Sequence, residues 1–363
     1  MTRRKLRSRG GHVVGEGSTM EIADFYRGKT ILVTGGVGSI GNFLVRELLK
    51  YEPMSIRVFD TNETGLFDLE QVLQSKKLRL LLGDIRDKER LIVAMEGADL
   101  VFHTAALKHV PLCEFNPYDA VKTNVIGTQN VLDAAYAQGV RKVITISTDK
   151  AVNPSNVMGA TKLLAERLTI SANSYHGHKG SSFSCVRFGN VLNSRGSVVP
   201  LFTRQIQNGG PITVTHQEMT RFLMDIPSAA QLILKAGTLS SGNDIFILKM
   251  PAVRIMDLAE EMRTLIAPKY GYSPDQIPIE IVGMRVGEKI DEELLIMDET
   301  SCVYENEDMY LVVLKKMPYA IKYSPLEQVP PSFKEATMNT FSSKNARILT
   351  KNEIGVLLRN IGF

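Results

Sequence analysis

The stretch from Ser147 to Lys162, STDKAVNPSNVMGATK, carries the residues best suited to moving protons. Asp149 and Lys150 set an acid beside a potential base, which suits a reaction that both removes and delivers a proton. Thr148 adds a hydroxyl immediately before them. The apolar run KVITIS that leads into this group reads as a strand, and open α/β sheets hold ligands at strand carboxyl ends. NVMGATKLLAER then begins a helix on which Met158 and Lys162 share one face. A thioether at Met158 takes no proton from a hydroxyl at neutral pH, so the proton work falls on the other four. On an inert sheet edge, Asp149 and Lys150 would be only a surface ion pair of little worth. The hydroxyl before them and the lysine helix after them argue for a site.

A second constellation lies near the start. TGGVGSIG spaces Gly35, Gly38 and Gly41 between an apolar run, KTILVTG, and an amphipathic one, SIGNFLVRELLKY. Glycines in a strand-to-helix turn allow a tight bend, a close approach to a pyrophosphate and close helix packing. The N–H groups at the helix start, around Ser39 and Ile40, then face the phosphates. Asp60 ends the second strand, SIRVFD, where a carboxylate accepts both ribose hydroxyls and repels a 2′-phosphate. The expected cofactor is therefore NAD, with NADP as the alternative. Asp84 and Ile85 end the third strand, LRLLLGD, and are placed at the adenine.

These residues need a scaffold. LRLLLGD, ADLVFH, KVITIS and FSCVRFG continue the series of buried strands with helical segments between them, and this alternation implies a doubly wound parallel sheet. Residues 25–190 with 218–262 are assigned to this dinucleotide-binding domain. Residues 191–217 and 263–363, richer in loops, are assigned to a smaller, discontinuous substrate-binding domain. The chain's last segment, NARILTKNEIGVLLRNIGF, reads as an amphipathic helix with Thr350 as its N-cap.

The chain has 363 residues with 43 basic and 39 acidic side chains. Five of the basic ones and Glu16 fall within the first 19 residues, so the remainder balances 38 against 38. A body without basic excess gives no sign of a nucleic-acid-binding face, and residues 1–24 are read as a disordered basic leader. Cys113, Cys185 and Cys302 form no metal-ligand pair, so no metal is expected, and reduced cysteines fit a cytoplasmic protein. No apolar run is long enough to span a membrane.

The glycine spacing, with HTAALKHVP and NVIGTQNVLDAA, resembles the extended short-chain dehydrogenase/reductases. STDKAVNPSNVMGATK resembles, within them, the 4,6-dehydratases acting on UDP-N-acetylglucosamine, in the subset that carries methionine where other members have a catalytic tyrosine. The resemblance covers about residues 25–300 and implies a UDP-sugar substrate, a nicotinamide cofactor and a homo-oligomer. Asn62, Ala105, Ala106 and Asn124 then join the cofactor site, and Lys162 binds the nicotinamide ribose. It implies an internal redox cycle in which hydride leaves C4 of the sugar and returns at C6 after water is lost. Lys150 is the implied base at C5, Asp149 the acid at the 6-hydroxyl, and Thr148 the partner of the C4 oxygen. The 4-hydroxyl proton falls to Asp149 or to a water held by Thr148 and Lys162.

RFGNVLNSRGSVVPLF, MTRFLM and GMRVGEKIDEELL resemble the segments that grip the sugar nucleotide. Asn190, Val191, Arg221 and Arg285 are placed at the diphosphate and Glu288 at a ribose hydroxyl, while Lys108 and His109 lie near the sugar. Family members often have RPGEK where this chain has RVGEK, with Val286 for proline. Two other functions remain open: a UDP-sugar epimerase on the same fold, which needs no acid–base pair for water loss, and a non-catalytic dinucleotide sensor, for which a missing tyrosine is natural.

Overall fold

The computed structural model describes residues 16–175, 180–194, 196–296, 301–314, 329–338 and 340–363. The chain opens with α1 (Glu16–Tyr26), β1 (Thr30–Thr34), α2 (Ser39–Leu49), β2 (Ser55–Asp60), α3 (Glu63–Leu73), β3 (Leu78–Leu82), α4 (Lys88–Met95) and β4 (Leu100–His103). Then come α5 (Val110–Phe115), α6 (Pro117–Ala120), a π-helical turn (Val121–Ile126), α7 (Gly127–Ala137), β5 (Lys142–Thr148), α8 (Val157–Tyr175) and β6 (Ser182–Phe188). The second half holds β7 (Asn190–Val191), α9 (Val198–Gln207), β8 (Ile212–Val214), β9 (Thr220–Met224), α10 (Ile226–Leu239), β10 (Asp244–Leu248), β11 (Ala252–Arg254) and α11 (Ile255–Ile266). It closes with β12 (Ile279–Ile281), β13 (Glu293–Ile296), β14 (Ser301–Glu305), β15 (Met309–Leu314), β16 (Lys334–Glu335), β17 (Thr340–Ser342) and α12 (Lys351–Asn360).

The main sheet has ten strands in the order β16-β14-β15-β10-β6-β5-β4-β1-β2-β3. From β3 to β10 neighbouring strands are parallel, and the order reverses between β1 and β4. The doubly wound parallel sheet read from the sequence is therefore present. Side-chain alternation along β1 explains the two apolar layers. Ile31 and Val33 pack on one face with residues of α2 and α10, and Leu32 packs on the other with residues of α4 and α7.

A second apolar core joins α9, α11 and α12 with β8, β9 and β11. Thr350 caps α12 through a reciprocal pair of hydrogen bonds with Glu353, a capping box.

The sequence-based boundaries need three corrections. Helix α11, assigned to the dinucleotide domain within 218–262, contributes to the second core instead, and strands β9 and β11 contribute to both cores. Strands β14 to β16, assigned to the substrate domain, extend the main sheet beyond β10 as an antiparallel edge. The leader assigned to residues 1–24 overlaps α1, where Ile22 and Tyr26 are buried and the Tyr26 hydroxyl donates to the Leu234 carbonyl at 2.8 Å. Two apolar residues one helical turn apart suffice to dock this helix, which a count of charges does not show. Residues 1–15 of the leader lie outside the described residues.

Candidate active site

A cavity of about 950 Å³ runs along the carboxyl ends of the parallel strands. Gly35, Gly38, Ser39, Ile40 and Gly41 form one end, with Asp60, Asn62, Asp84 and Ile85 beside them. Ala105, Ala106, Thr148, Met158 and Lys162 line the middle, and Lys108, His109, Lys150, Asn190 and Val191 line the rest.

The glycine end is shaped by close backbone contact. Gly35 has φ of 66°, a left-handed conformation, and a Cβ there would lie 2.7 Å from the Ala105 backbone. A Cβ on Gly41 would stand 2.3 Å from the Gly35 carbonyl oxygen. Helix α2 begins at Gly38 with no side-chain cap, and its first turn lines the cavity. The Asp60 carboxylate accepts from the Val37 N–H at 3.1 Å and the Asn62 N–H at 3.0 Å, which fixes its direction. Asn62 caps α3 through Gly65. Hydrogen bonds from Arg86 outweigh burial and hold the Asp84 carboxyl below its usual range. Lys162 reaches from α8 to the Ile146 carbonyl at 2.6 Å, and burial lowers its pKa. A cradle without room for side chains, an uncapped helix start and a directed carboxylate fit a dinucleotide pyrophosphate and ribose.

At the end of β5 the polar groups interlock. The Thr148 hydroxyl donates to Asp149 Oδ1 at 2.8 Å, and Lys150 Nζ donates to the same oxygen at 2.9 Å. Lys150 Nζ also meets Asn190 Oδ1 at 3.3 Å and Glu292 Oε1 at 3.3 Å. Burial by itself would lower the Lys150 pKa. Asp149 and Glu292 outweigh that effect, against opposition from Arg221, so the ammonium is held above its ordinary value. Burial raises the Glu292 carboxyl, against the opposite pull of Lys150.

Glu292 comes from the turn before β13 and is fixed from several sides. Its N–H donates to Ser343 Oγ at 2.9 Å, and its carbonyl accepts from the Ser343 N–H at 2.8 Å. Arg187 on β6 holds Glu166 of α8 with two N–H groups and donates a third to the Leu294 carbonyl. Strand β9 adds the Thr220 N–H to the Ile290 carbonyl and the Thr220 hydroxyl to Asp291.

The sequence profile of polysaccharide biosynthesis proteins matches residues 31–314. The chain belongs to that family. Within it, the chain falls among the extended short-chain dehydrogenase/reductases of the nucleotide-sugar dehydratase group. It is 55% identical to an uncharacterized membrane protein of Methanocaldococcus jannaschii, over 94% of this chain and 99% of that one. It is 41% identical to a UDP-N-acetylglucosamine 4,6-dehydratase (inverting) of Campylobacter jejuni, over 79% of this chain and 83% of that one. A UDP-glucose 4-epimerase of Rickettsia rickettsii is 38% identical over 92% and 96%. The X-ray structure of Pen from Bacillus thuringiensis matches with TM-score 0.83 and 40% identity, covering 93% of this chain and 98% of that one. Among the described residues no helix is long and apolar enough to cross a membrane.

Against this family fold, several sequence-predicted residues stand elsewhere than expected. Asn124, placed at the cofactor, is buried and does not line the cavity. Its side chain holds the Leu107 N–H and carbonyl and the Thr161 hydroxyl, so it braces the β4 loop against α8. Arg221, placed at the diphosphate, spends its terminal N–H groups on the carbonyls of Thr220, Lys289 and Ile290 and stands 3.7 Å from Glu292. Asp149 lines no part of the cavity and is fully buried, with Oδ2 against Gly189. It reaches the cavity only through Thr148 and Lys150. Arg285 and Glu288 are not on the cavity wall. They lie on an exposed turn pinned at the Gly287 carbonyl by Ser155 and Asn156, and Val286 is 86% exposed.

Met158 is buried against Cys113 and Ala120 and lines the cavity. His103, within the motif HTAALKHVP, is kept neutral by burial, with its pKa lowered to about 3, and bridges the Thr34 and Thr128 hydroxyls.

Sequence reasoning missed Glu292 and Arg86. The only signal for Glu292 was the acidic run IDEELL, in which nothing marks the residue that turns inward.

Proposed function

We propose that the protein removes water from a UDP-N-acetylhexosamine, UDP-N-acetylglucosamine first, to give the 4-keto-6-deoxy sugar nucleotide used in surface glycan or glycoprotein synthesis. The observation that carries this reading is the hydrogen-bonded set Thr148–Asp149–Lys150, which meets the cavity where Met158 stands in place of a phenol. NAD, when bound by the glycine turn, Asp60, Asp84, Ile85, Ala105, Ala106 and Lys162, supplies the hydride acceptor for C4 and the donor for C6. Thr148 binds the C4 oxygen and relays the 4-hydroxyl proton to Asp149, since its hydroxyl already points at that carboxylate. Lys150 takes the C5 proton and later returns it. The proton held by Asp149 passes back through the Thr148 hydroxyl to the 6-hydroxyl, which leaves as water. Lys108 and His109 face the sugar, and Asn190 and Val191 the diphosphate. Arg285, on the turn next to the segment that carries Met158, serves the diphosphate, and Glu288 a ribose hydroxyl. The protein assembles with copies of itself, covering the exposed Leu112, Phe115, Tyr118 and Leu164 of α5, α6 and α8.

Epimerisation is the second reading, favoured by the Rickettsia relative. It inverts C4 and has no use for an amine aimed at C5. Holoenzyme incubated with UDP-N-acetylglucosamine decides between them. Loss of one water by mass spectrometry, with a 6-methyl signal and solvent deuterium at C5, supports dehydration. Unchanged mass with an inverted C4 supports the epimerase. Bound NAD without any turnover across UDP-hexoses supports a sensor.

A further inference from the structure

The carboxylate that faces Lys150 from the far end of the chain is unlike an ordinary ion-pair partner. Glu292 is 3% exposed, and its Oε2 has no hydrogen-bond partner among the described residues. A buried carboxylate whose task was only to neutralise Lys150 and Arg221 would be expected to use both oxygens, because an unpaired buried acceptor is costly. The backbone of Glu292 is held at both its N–H and its carbonyl by Ser343, and the segment around it is held by Thr220, Arg221 and Arg187. The groups facing Lys150 are Thr148 and Asp149 from its own turn, Asn190 from β7, Arg221 beyond Glu292 on β9, and Glu292 itself. The next cation on the Glu292 segment, Lys289, is engaged with the Val152 carbonyl and Glu293.

To take the C5 proton of a hexose, Lys150 must first be a neutral amine, yet it sits as a cation between two carboxylates. Asp149, whose Oδ2 is likewise without a partner, cannot take this proton, because it holds the 4-hydroxyl proton until water leaves. We propose that Glu292 takes the ammonium proton of Lys150 and holds it through the elimination, as a positioning residue that never touches the sugar. The proton count closes. The Lys150 proton moves to Glu292 Oε1, and the 4-hydroxyl proton moves through Thr148 to Asp149. The C5–H bond breaks with its proton going to Lys150, and the C6–O bond breaks with the Asp149 proton passing back through Thr148 and leaving in water. Lys150 then returns its proton to C5 and takes back the one that Glu292 held. No net proton is drawn from bulk solvent in a turnover, though the hydrogens of the Lys150 amine exchange with it before one returns to C5, and the hydride steps are those of the dehydration reading, on which this inference rests.

The test compares kcat against pH for NAD-loaded wild type and Glu292→Gln. At neutral pH the amide variant is expected to lose about 100-fold in kcat with KM nearly unchanged, the size of a general acid–base contribution. It should recover as pH rises, because Lys150 must then release its proton to solvent. The acid limb of the profile therefore moves from the carboxylate range toward the amine range. A decrease by one factor at every pH marks Glu292 as structural only and overturns the proposal, as does no decrease at all. Should the amide variant fail to fold, NMR of wild-type holoenzyme labelled with ¹³C at the glutamate carboxyls decides. One glutamate must titrate at the pH of the acid limb, and its absence overturns the role. Wild type that dehydrates while either test fails defeats this role alone. Wild type that removes no water from any UDP-hexosamine defeats the dehydration reading and this role together.

Discussion

The two ends of the cavity are built in different ways. The dinucleotide end comes from contiguous chain, the β1–α2 turn and the ends of β2 and β3, and its shape follows from backbone contacts that exclude side chains. The other end gathers Thr148 at the end of β5, Lys150 just after it, Asn190 on β7, Arg221 on β9, Glu292 before β13 and Ser343 after β17. Local sterics fix the first end, and a network of buried charges and hydrogen bonds fixes the second. A defect at the glycine turn should therefore act through cofactor binding, while a defect at the other end should act through proton transfer or folding.

Lys150→Ala is the most severe way to separate the two ends. Turnover should fall about 1,000-fold, within the range of general acid–base catalysis, while NAD binding measured by calorimetry is retained. Loss of both would break the comparison.

Arg221→Met removes one partner of a buried charge network together with its hydrogen bonds to three backbone carbonyls. Urea unfolding should show about 3–5 kcal/mol of lost stability. A change under about 1 kcal/mol would show that the segment around Glu292 is held without it.

Gly41→Ala introduces a Cβ where the Gly35 carbonyl oxygen stands 2.3 Å away. Overpacking of this kind costs about 1–3 kcal/mol, and the displaced turn should lose NAD affinity while the Thr148–Lys150 end keeps its geometry.

Arg285→Ala tests the exposed turn. If Arg285 serves the diphosphate, KM for the UDP-sugar rises about tenfold, the worth of one charged hydrogen bond, with kcat unchanged. An unchanged KM removes Arg285 from the substrate site.

The smallest effect is expected between the two ends, at His103. Its folded pKa of about 3 lies below the ordinary 6.5. The unfolded chain therefore takes up a proton that the folded one refuses. Stability present above pH 6.5 should be lost as pH falls from 6.5 toward 3. His103→Gln should cost about 1 kcal/mol at neutral pH and flatten the melting temperature over that window. An unchanged slope would mean that other groups dominate it.

The contrast also explains what was legible beforehand. The strands ending in Gly35, Asp60 and Asp84, and the helix carrying Met158 and Lys162, could be read because each is a local pattern of apolar period, turn glycine or helical spacing. Asp149 and Lys150 could be found by type and adjacency, but not the burial that removes Asp149 from the cavity wall. Asn124 and Arg221 were assigned to ligands because their types bind ligands. The structure shows that backbone groups of the protein consume them first.

The sequence by itself determined the alternation of strands and helices that a doubly wound parallel sheet needs, the glycine turn and the presence of an acid beside an amine at the end of β5. These follow from short-range sterics and from periodicity that any window of the chain contains. Only the tertiary structure decided that Glu292 faces Lys150, that Arg221 braces it, and that β14 to β16 extend the main sheet. Those outcomes depend on which distant groups compete for the same buried donors, and that competition exists only once the chain has packed.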